Sequence, residues 1–149
     1  MNQKVRKSGF TLIEVLVVIG IIAVLATVVL VAVNPARQFA QARNTQRVSN
    51  VNAILNALGQ NSADNKGIFT CAAGTIPTTA TQIGSATFDI RACIVPNYLT
   101  EIPLDPTAGT MVSASDYATG YFVIQDATTK RITVTAPSAE IREVIAVTR

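Results

Sequence analysis

Residues 10–33 read FTLIEVLVVIGIIAVLATVVLVAV, and 20 of these 24 positions are apolar, the exceptions being Thr11, Glu14, Gly20 and Thr27. At 1.5 Å per residue a helix of this length extends about 36 Å, enough to cross a hydrocarbon core of about 30 Å with some tilt. Its Val and Ile content is no obstacle in lipid, where backbone polar groups must bond within the helix. Lys4, Arg6 and Lys7 precede the run, and apart from Glu14 no charge follows until Arg37. That asymmetry predicts a cytoplasmic N-terminus with the rest of the chain outside the cytoplasm. The run is too long for the apolar core of a secretory signal, and no small-residue cleavage site stands at its far end.

Charge and residue usage exclude several function classes. The 149 residues carry a net charge of +3, but beyond residue 9 nine basic residues meet nine acidic ones. The basic balance therefore belongs to the leader, which removes the electrostatic case for a dedicated nucleic-acid binder. Arg37, Arg43 and Arg47 form a local group that reads as cations just beyond a membrane span. Histidine is absent from the chain, which excludes imidazole metal sites and His-based triads. No phosphate-binding glycine loop or nucleophile-elbow string occurs. Asp105, Asp116 and Asp126 are the candidates for a Ca²⁺ site, but no ligand loop of recognisable spacing surrounds them; no metal is expected.

Glu14 is the anomaly of the apolar run. A carboxylate at the centre of a span costs about 2.5–3.5 kcal/mol, so it either snorkels to the headgroups or is paired and functional. Its surroundings, Lys7-Ser8-Gly9-Phe10-Thr11-Leu12-Ile13-Glu14-Val15, decide between these. A short basic leader ending in Gly, then Phe-Thr-Leu-Ile-Glu and an apolar helix, resembles the class III signal of type IV pilins and type II secretion pseudopilins. The resemblance is dense over residues 4–58. It implies that a membrane aspartyl peptidase, prepilin peptidase, cuts after Gly9 and N-methylates Phe10, and that Glu14 matches the family's glutamate five residues into the mature chain. Cleavage would leave an ammonium on Phe10 that cannot stay unpaired in a dry interior. Glu14 of a neighbouring subunit is then the natural counter-charge, fixing axial register.

Beyond the run, Asn34-Pro35 either ends the helix or bends it. Val48, Val51, Ile54, Leu55 and Leu58 follow helical spacing, with Arg43, Gln46, Arg47, Asn50 and Asn56 on the opposite face and Gly59 as a stop. Residues 60–87, rich in Gly, Ser, Thr, Ala and Asn, read as a surface loop with at most short elements. Cys71 and Cys93, with 21 residues between them, match no zinc spacing. Outside the cytoplasm a disulfide is the default, with two free thiols as the alternative. Phe88–Val95 alternates loosely as a strand. Tyr117–Gln125 and Lys130–Ala136 are two further strands joined by the hairpin loop Asp126–Thr129, and Glu140–Val147 reads as the last. Tyr98-Leu99-Thr100-Glu101-Ile102-Pro103-Leu104-Asp105-Pro106 resembles a stretch common in major pseudopilins and small pilins, and reads as a structural turn that carries no ligand.

The expected fold is α+β: a long N-terminal helix, half transmembrane and half amphipathic, packed on a small antiparallel β-sheet head. The expected parts are a cleaved leader (1–9), a membrane and filament-core helix (10–33), its amphipathic continuation (34–59) and a β head (60–149). The resemblance implies a structural, non-enzymatic subunit without cofactor. It would wait in a bacterial inner membrane among lipid, meet prepilin peptidase and an assembly platform there, and polymerise through its N-terminal helices into an extracellular or periplasmic filament. The alternative within the family is a major secretion pseudopilin, for which a Ca²⁺-binding loop after Asp105-Pro106 would be expected; Thr107–Asp116 adds one acid, which favours a pilin. Two further readings are a DNA-binding minor subunit using Arg91, Lys130 and Arg131, and a single-span protein with an exposed sensor domain.

Overall fold

The structure, a computed structural model, describes residues 9–149; Lys4, Arg6 and Lys7 of the leader lie outside the described residues. The described residues divide into two compact units, one ending at Gln38 and one running from Phe39 to Arg149. The first contains α1 (Leu12–Val33), whose start is set by Thr11 in extended geometry. Thr11 Oγ1 accepts the N–H of Glu14 at 3.3 Å, and Glu14 Oε2 accepts the N–H of Thr11 at 2.7 Å. This reciprocal pair is the Ser/Thr-x-x-Glu capping box, which satisfies two otherwise orphaned donors. Residues Leu12–Ala32 form a helix long and apolar enough to cross a membrane.

Asn34 ends α1 in the left-handed region (φ 44°), a conformation that asparagine tolerates. Pro35 then opens α2 (Pro35–Asp64), where a fixed φ suits the first helical position and the missing N–H has no partner to lose. The Asn34-Pro35 step is therefore a stop and a restart. At its far end α2 runs to Asp64, five residues past Gly59. Gly59 has open space about it, and Ser62 Oγ donates to the Leu58 carbonyl within the continuing helix at 2.9 Å.

The head has α2 from residue 39 onward laid on one five-stranded antiparallel sheet. The strands are β1 (Thr81–Gly84), β2 (Thr110–Ser113), β3 (Asp116–Gln125), β4 (Ile132–Ala136) and β5 (Ile145–Thr148), in the order β1-β3-β4-β5 with β2 also on β3. Long β3 is the shared strand, pairing Gln82 with Phe122, Met111 with Tyr117, and Val123 with Val134. The hairpin between β3 and β4 turns at Asp126, whose Oδ1 accepts the N–H groups of Thr128 and Thr129, the local bonding that makes Asp a turn former. Val51, Ile54, Leu55 and Leu58 of α2 meet Ile83, Tyr121, Val123 and Val134 in the core. Full burial of each aliphatic side chain contributes about 1.5–3 kcal/mol.

Two strand expectations are corrected. Phe88–Val95 is a single bridge (Ile83 to Phe88) followed by the short helix α3 (Arg91–Ile94). Buried Ile90 and Ile94 sit four apart, a helical spacing that overlaps with loose alternation, and Asp89 Oδ1 accepts the Arg91 N–H to start the turn. Glu140–Glu143 is a turn, so the last strand begins at Ile145. β1, at residues 81–84, is a short element of the kind allowed within the loop 60–87.

Candidate functional site

Two places in the chain concentrate chemistry. The first is the start of α1, where Gly9 and Phe10 precede the capping box and are exposed. From Leu12 to Val31 each large apolar side chain is at least half exposed. Glu14 Oε2 also accepts the Thr11 hydroxyl at 2.7 Å. Within one chain the carboxylate thus serves its own helix through one oxygen. Thr11-x-x-Glu14 has the spacing of a capping box, a signal overlooked in reading the apolar run, and it is independent of any partner.

The second is a buried ionic network between α2, the loop before β2 and the turn before β5. Arg47 is fully buried. Its Nε donates to Asp105 Oδ2 (2.8 Å), Nη2 to Asp105 Oδ1 (3.2 Å) and to Thr107 Oγ1 (2.7 Å), and Nη1 to Asn44 Oδ1 and Glu140 Oε2 (2.9 Å each). Arg43 adds a two-pronged pair to Glu140, at 2.7 and 2.6 Å. Asn44 holds the backbone of Glu140 at both ends, accepting its N–H at 2.9 Å and donating to its carbonyl at 2.8 Å, and also donates to Glu143. Bidentate guanidinium–carboxylate geometry of this kind gives strong, direction-specific bonds.

Burial alone would push the Asp105 carboxyl up, but Arg47 and the N–H groups of Thr107 and Ala108 outweigh it and hold the pKa down at about 2. Hydrogen bonds from Arg43 and then Arg47 hold Glu140 at about 2 as well. Space around Asp105 is shaped by glycine: a Cβ on Gly109 would stand 2.6 Å from the Asp105 nitrogen, and one on Gly120 2.7 Å from the Asp105 Cβ. Gly120 also has φ +79°, a value that β3 can adopt there at little cost only with glycine.

This network corrects the reading of Arg43 and Arg47 as cations on a face turned away from the core. Ala40, Asn44, Arg47, Val51, Ile54, Leu58 and Asn61 are buried and share one helical face, while Val48, assigned to the apolar stripe, is exposed. The stripe continues through residues 40–47 in the same phase, but with polar side chains whose partners lie far along the chain.

The three aspartates considered for Ca²⁺ stay apart. Asp116 and Asp126 stand at opposite ends of β3, about 33 Å from each other at 3.3 Å per residue, and Asp105 is engaged by Arg47. Among the described residues no three acids or cysteines gather as a metal cluster. Arg91 pairs with Glu101 at 2.9 Å near the Tyr117 end of β3, whereas Lys130 and Arg131 occupy the hairpin at its other end; the candidate DNA contacts do not converge. Cys71 and Cys93 are joined as a disulfide, with Cα atoms 5.4 Å apart. The bridge ties the loop after α2 to α3, and Asn61 on α2 bonds the Thr70 N–H and the Thr70 and Cys93 carbonyls on both sides of it.

Residues 4–30 match the family model described as the prokaryotic N-terminal methylation motif. That motif is the class III signal of type IV pilins and pseudopilins, and with the helix-plus-sheet head it makes this chain pilin-like in architecture. The motif implies processing by prepilin peptidase and assembly into pilus-like filaments, and its family is structural. No curated protein and no solved structure matches the chain.

Proposed function

We propose that this protein is a structural subunit of a type IV pilus-like filament. The observation that carries the reading is the coincidence of the methylation motif with an apolar α1 whose large side chains are exposed along its length, a surface that only lipid or other such helices can cover. In this scheme residues 1–9 are removed after Gly9, Phe10 becomes the N-methylated terminus, and α1 passes from the inner membrane into the core of a helical homopolymer. The Phe10 ammonium of one subunit pairs with Glu14 of the next. Its carboxylate has a second oxygen, Oε1, beyond the one that caps α1. A pair in an apolar core fixes register more than it adds stability.

Adhesion, motility and DNA uptake are all compatible uses of such a fibre. A pilus is favoured over a secretion pseudopilus by residues 107–116, which add one acid, Asp116, to Asp105, while Asp105 itself is bound to Arg47. Gly9→Val tests the processing step, because a peptidase site that reads glycine before the scissile bond has no room for a branched side chain. Full-length precursor in the membrane is the expected outcome, read by N-terminal mass spectrometry. A mature chain still beginning at Phe10 would remove the class III assignment from this protein.

A further inference from the structure

The turn at residues 140–143 has the geometry normally given to Asn-Gly. Ile141 (φ 57°) and Arg142 (φ 59°) are both left-handed, and the Glu143 N–H bonds the Glu140 carbonyl at 3.1 Å. A β-branched residue in that region is a true outlier. Arg43, Asn44 and Arg47 hold the turn by Glu140, as described above. What the strained turn achieves is display: Ile141 is 42% exposed and the adjoining Val144 90%. Glu143 beside them has one oxygen, Oε1, with no hydrogen bond among the described residues.

The complementary surface lies elsewhere on the same head. A groove of about 730 Å³ runs between the C-terminal half of α2, the loop at 67–76 and the β3–β4 hairpin. Leu55, Phe69, Ile76 and Ile132 give it an apolar lining, with Ile68 exposed at its rim. Lys130 and Arg149 line it and no acidic side chain does; the Lys130 ammonium makes no ion pair among the described residues. From Asn44, which holds the turn, to Gly59 in the groove wall is fifteen residues of α2, about 22 Å along its axis. A protruding aliphatic turn with an acid and an apolar groove with cations thus sit at different levels of one head. Contact between two different patches is heterologous, and in a helical filament, where its rotation does not close a ring, it repeats from copy to copy.

We propose that the 141–144 turn of one copy docks in the 55–76 groove of the next, Val144 and Ile141 against the apolar lining and Glu143 toward Lys130. Arg142, the other central residue of the turn, stays at the solvent edge of this contact. The proposal rests on the filament reading but concerns the heads alone. The test is cysteine pairing in the full chain assembled into fibres, with Val144→Cys and Ile68→Cys made singly and together. The expected result is a ladder of covalent multimers on mild oxidation of the double variant only. Fibres of the double variant without a ladder, or dimers from Val144→Cys alone, would overturn the contact while leaving the filament reading intact. Absence of fibres from the parent chain would instead strike the filament reading. A charge exchange gives a second readout: Lys130→Glu and Glu143→Lys should each weaken lateral integrity of fibres under shear, and the combined variant should restore it. Failure of the combined variant to do better than either single one would also overturn the proposal.

Discussion

Arg47 and Asp105, 58 positions apart, form an ion pair in which neither side chain has any solvent-accessible surface. Taking two charges out of water costs several kcal/mol each, so such a pair is not simply a source of stability. All five guanidinium N–H groups are engaged here, and among the described residues no buried side-chain polar atom lacks a partner. The pair instead selects one placement of the 103–109 loop on α2.

Arg47→Met leaves Asp105 buried without its partner and should destabilise the head by about 3–5 kcal/mol, read as a lowered denaturation midpoint. Arg47→Lys should recover only part of this, because one ammonium cannot reach the two carboxylates, Thr107 and Asn44 together. A head unchanged in stability by Arg47→Met would show that the network is dispensable.

Acid should loosen the same region. The carboxyls of Asp105 and Glu140 are held at about 2 when folded, below the ordinary unfolded values near 4. A depressed folded pKa contributes stability that is fully present above the unfolded value and is lost as pH falls toward the folded one. Unfolding midpoints should therefore be steady above about pH 5 and fall between about pH 4 and pH 2. The Arg47→Met variant should show a weaker decline over that window.

Replacing Cys71 and Cys93 by serine should cost about 2–4 kcal/mol, since the bridge closes a loop of this size in the unfolded chain. Limited proteolysis should then cut first within residues 71–93, with membrane insertion unaffected. Two alkylatable thiols in the exported protein would contradict this prediction.

Glu14→Leu separates anchoring from assembly. Insertion should be at least as favourable as in the parent, and cleavage after Gly9 should persist. Glu14→Leu also removes the Glu14 half of the capping box, and Thr11→Val is the control: it removes the Thr11 half, at a cost of about 0.5–2 kcal/mol, and keeps the carboxylate with its bond from the Thr11 N–H. Processed, membrane-resident monomer without fibres is expected from Glu14→Leu, whereas Thr11→Val should still assemble. Normal fibres from Glu14→Leu subunits alone would end the salt-bridge account of register.

Much of the fold was legible where one local rule governs. The apolar run gives α1 by length alone, Tyr117–Gln125 and Lys130–Ala136 carry β-branched alternation around an Asp turn, and Val51, Ile54, Leu55 and Leu58 mark the buried face of α2. The readings that fail do so where the decisive partner is distant. Asn44 and Arg47 fall in phase with Val51 and Ile54, but a polar residue on a helix signals burial only when its partner is known, and Asp105 and Glu140 lie 58 and 93 positions away from Arg47. Ile90 and Ile94 satisfy both a strand and a short helix, and the Asp89 side chain selects the helix. At the N-terminus the reverse holds: Gly9, Phe10 and Glu14 stand out in the sequence, while the single chain shows Glu14 in its capping role.

The buried arginine also bears on the order in which the head comes together. In the orientation proposed here α2 clears the membrane before residues 105 and 140 have been exported. A helix face that was apolar throughout would emerge as an adhesive stripe with nothing yet to cover it. Because residues 43–47 carry Arg43, Asn44 and Arg47 in place of aliphatic side chains, that part of the stripe stays hydrated while it waits. It becomes interior only when the aspartate and glutamate arrive, so in that order of export this segment would offer a neighbouring nascent head no apolar surface to hold.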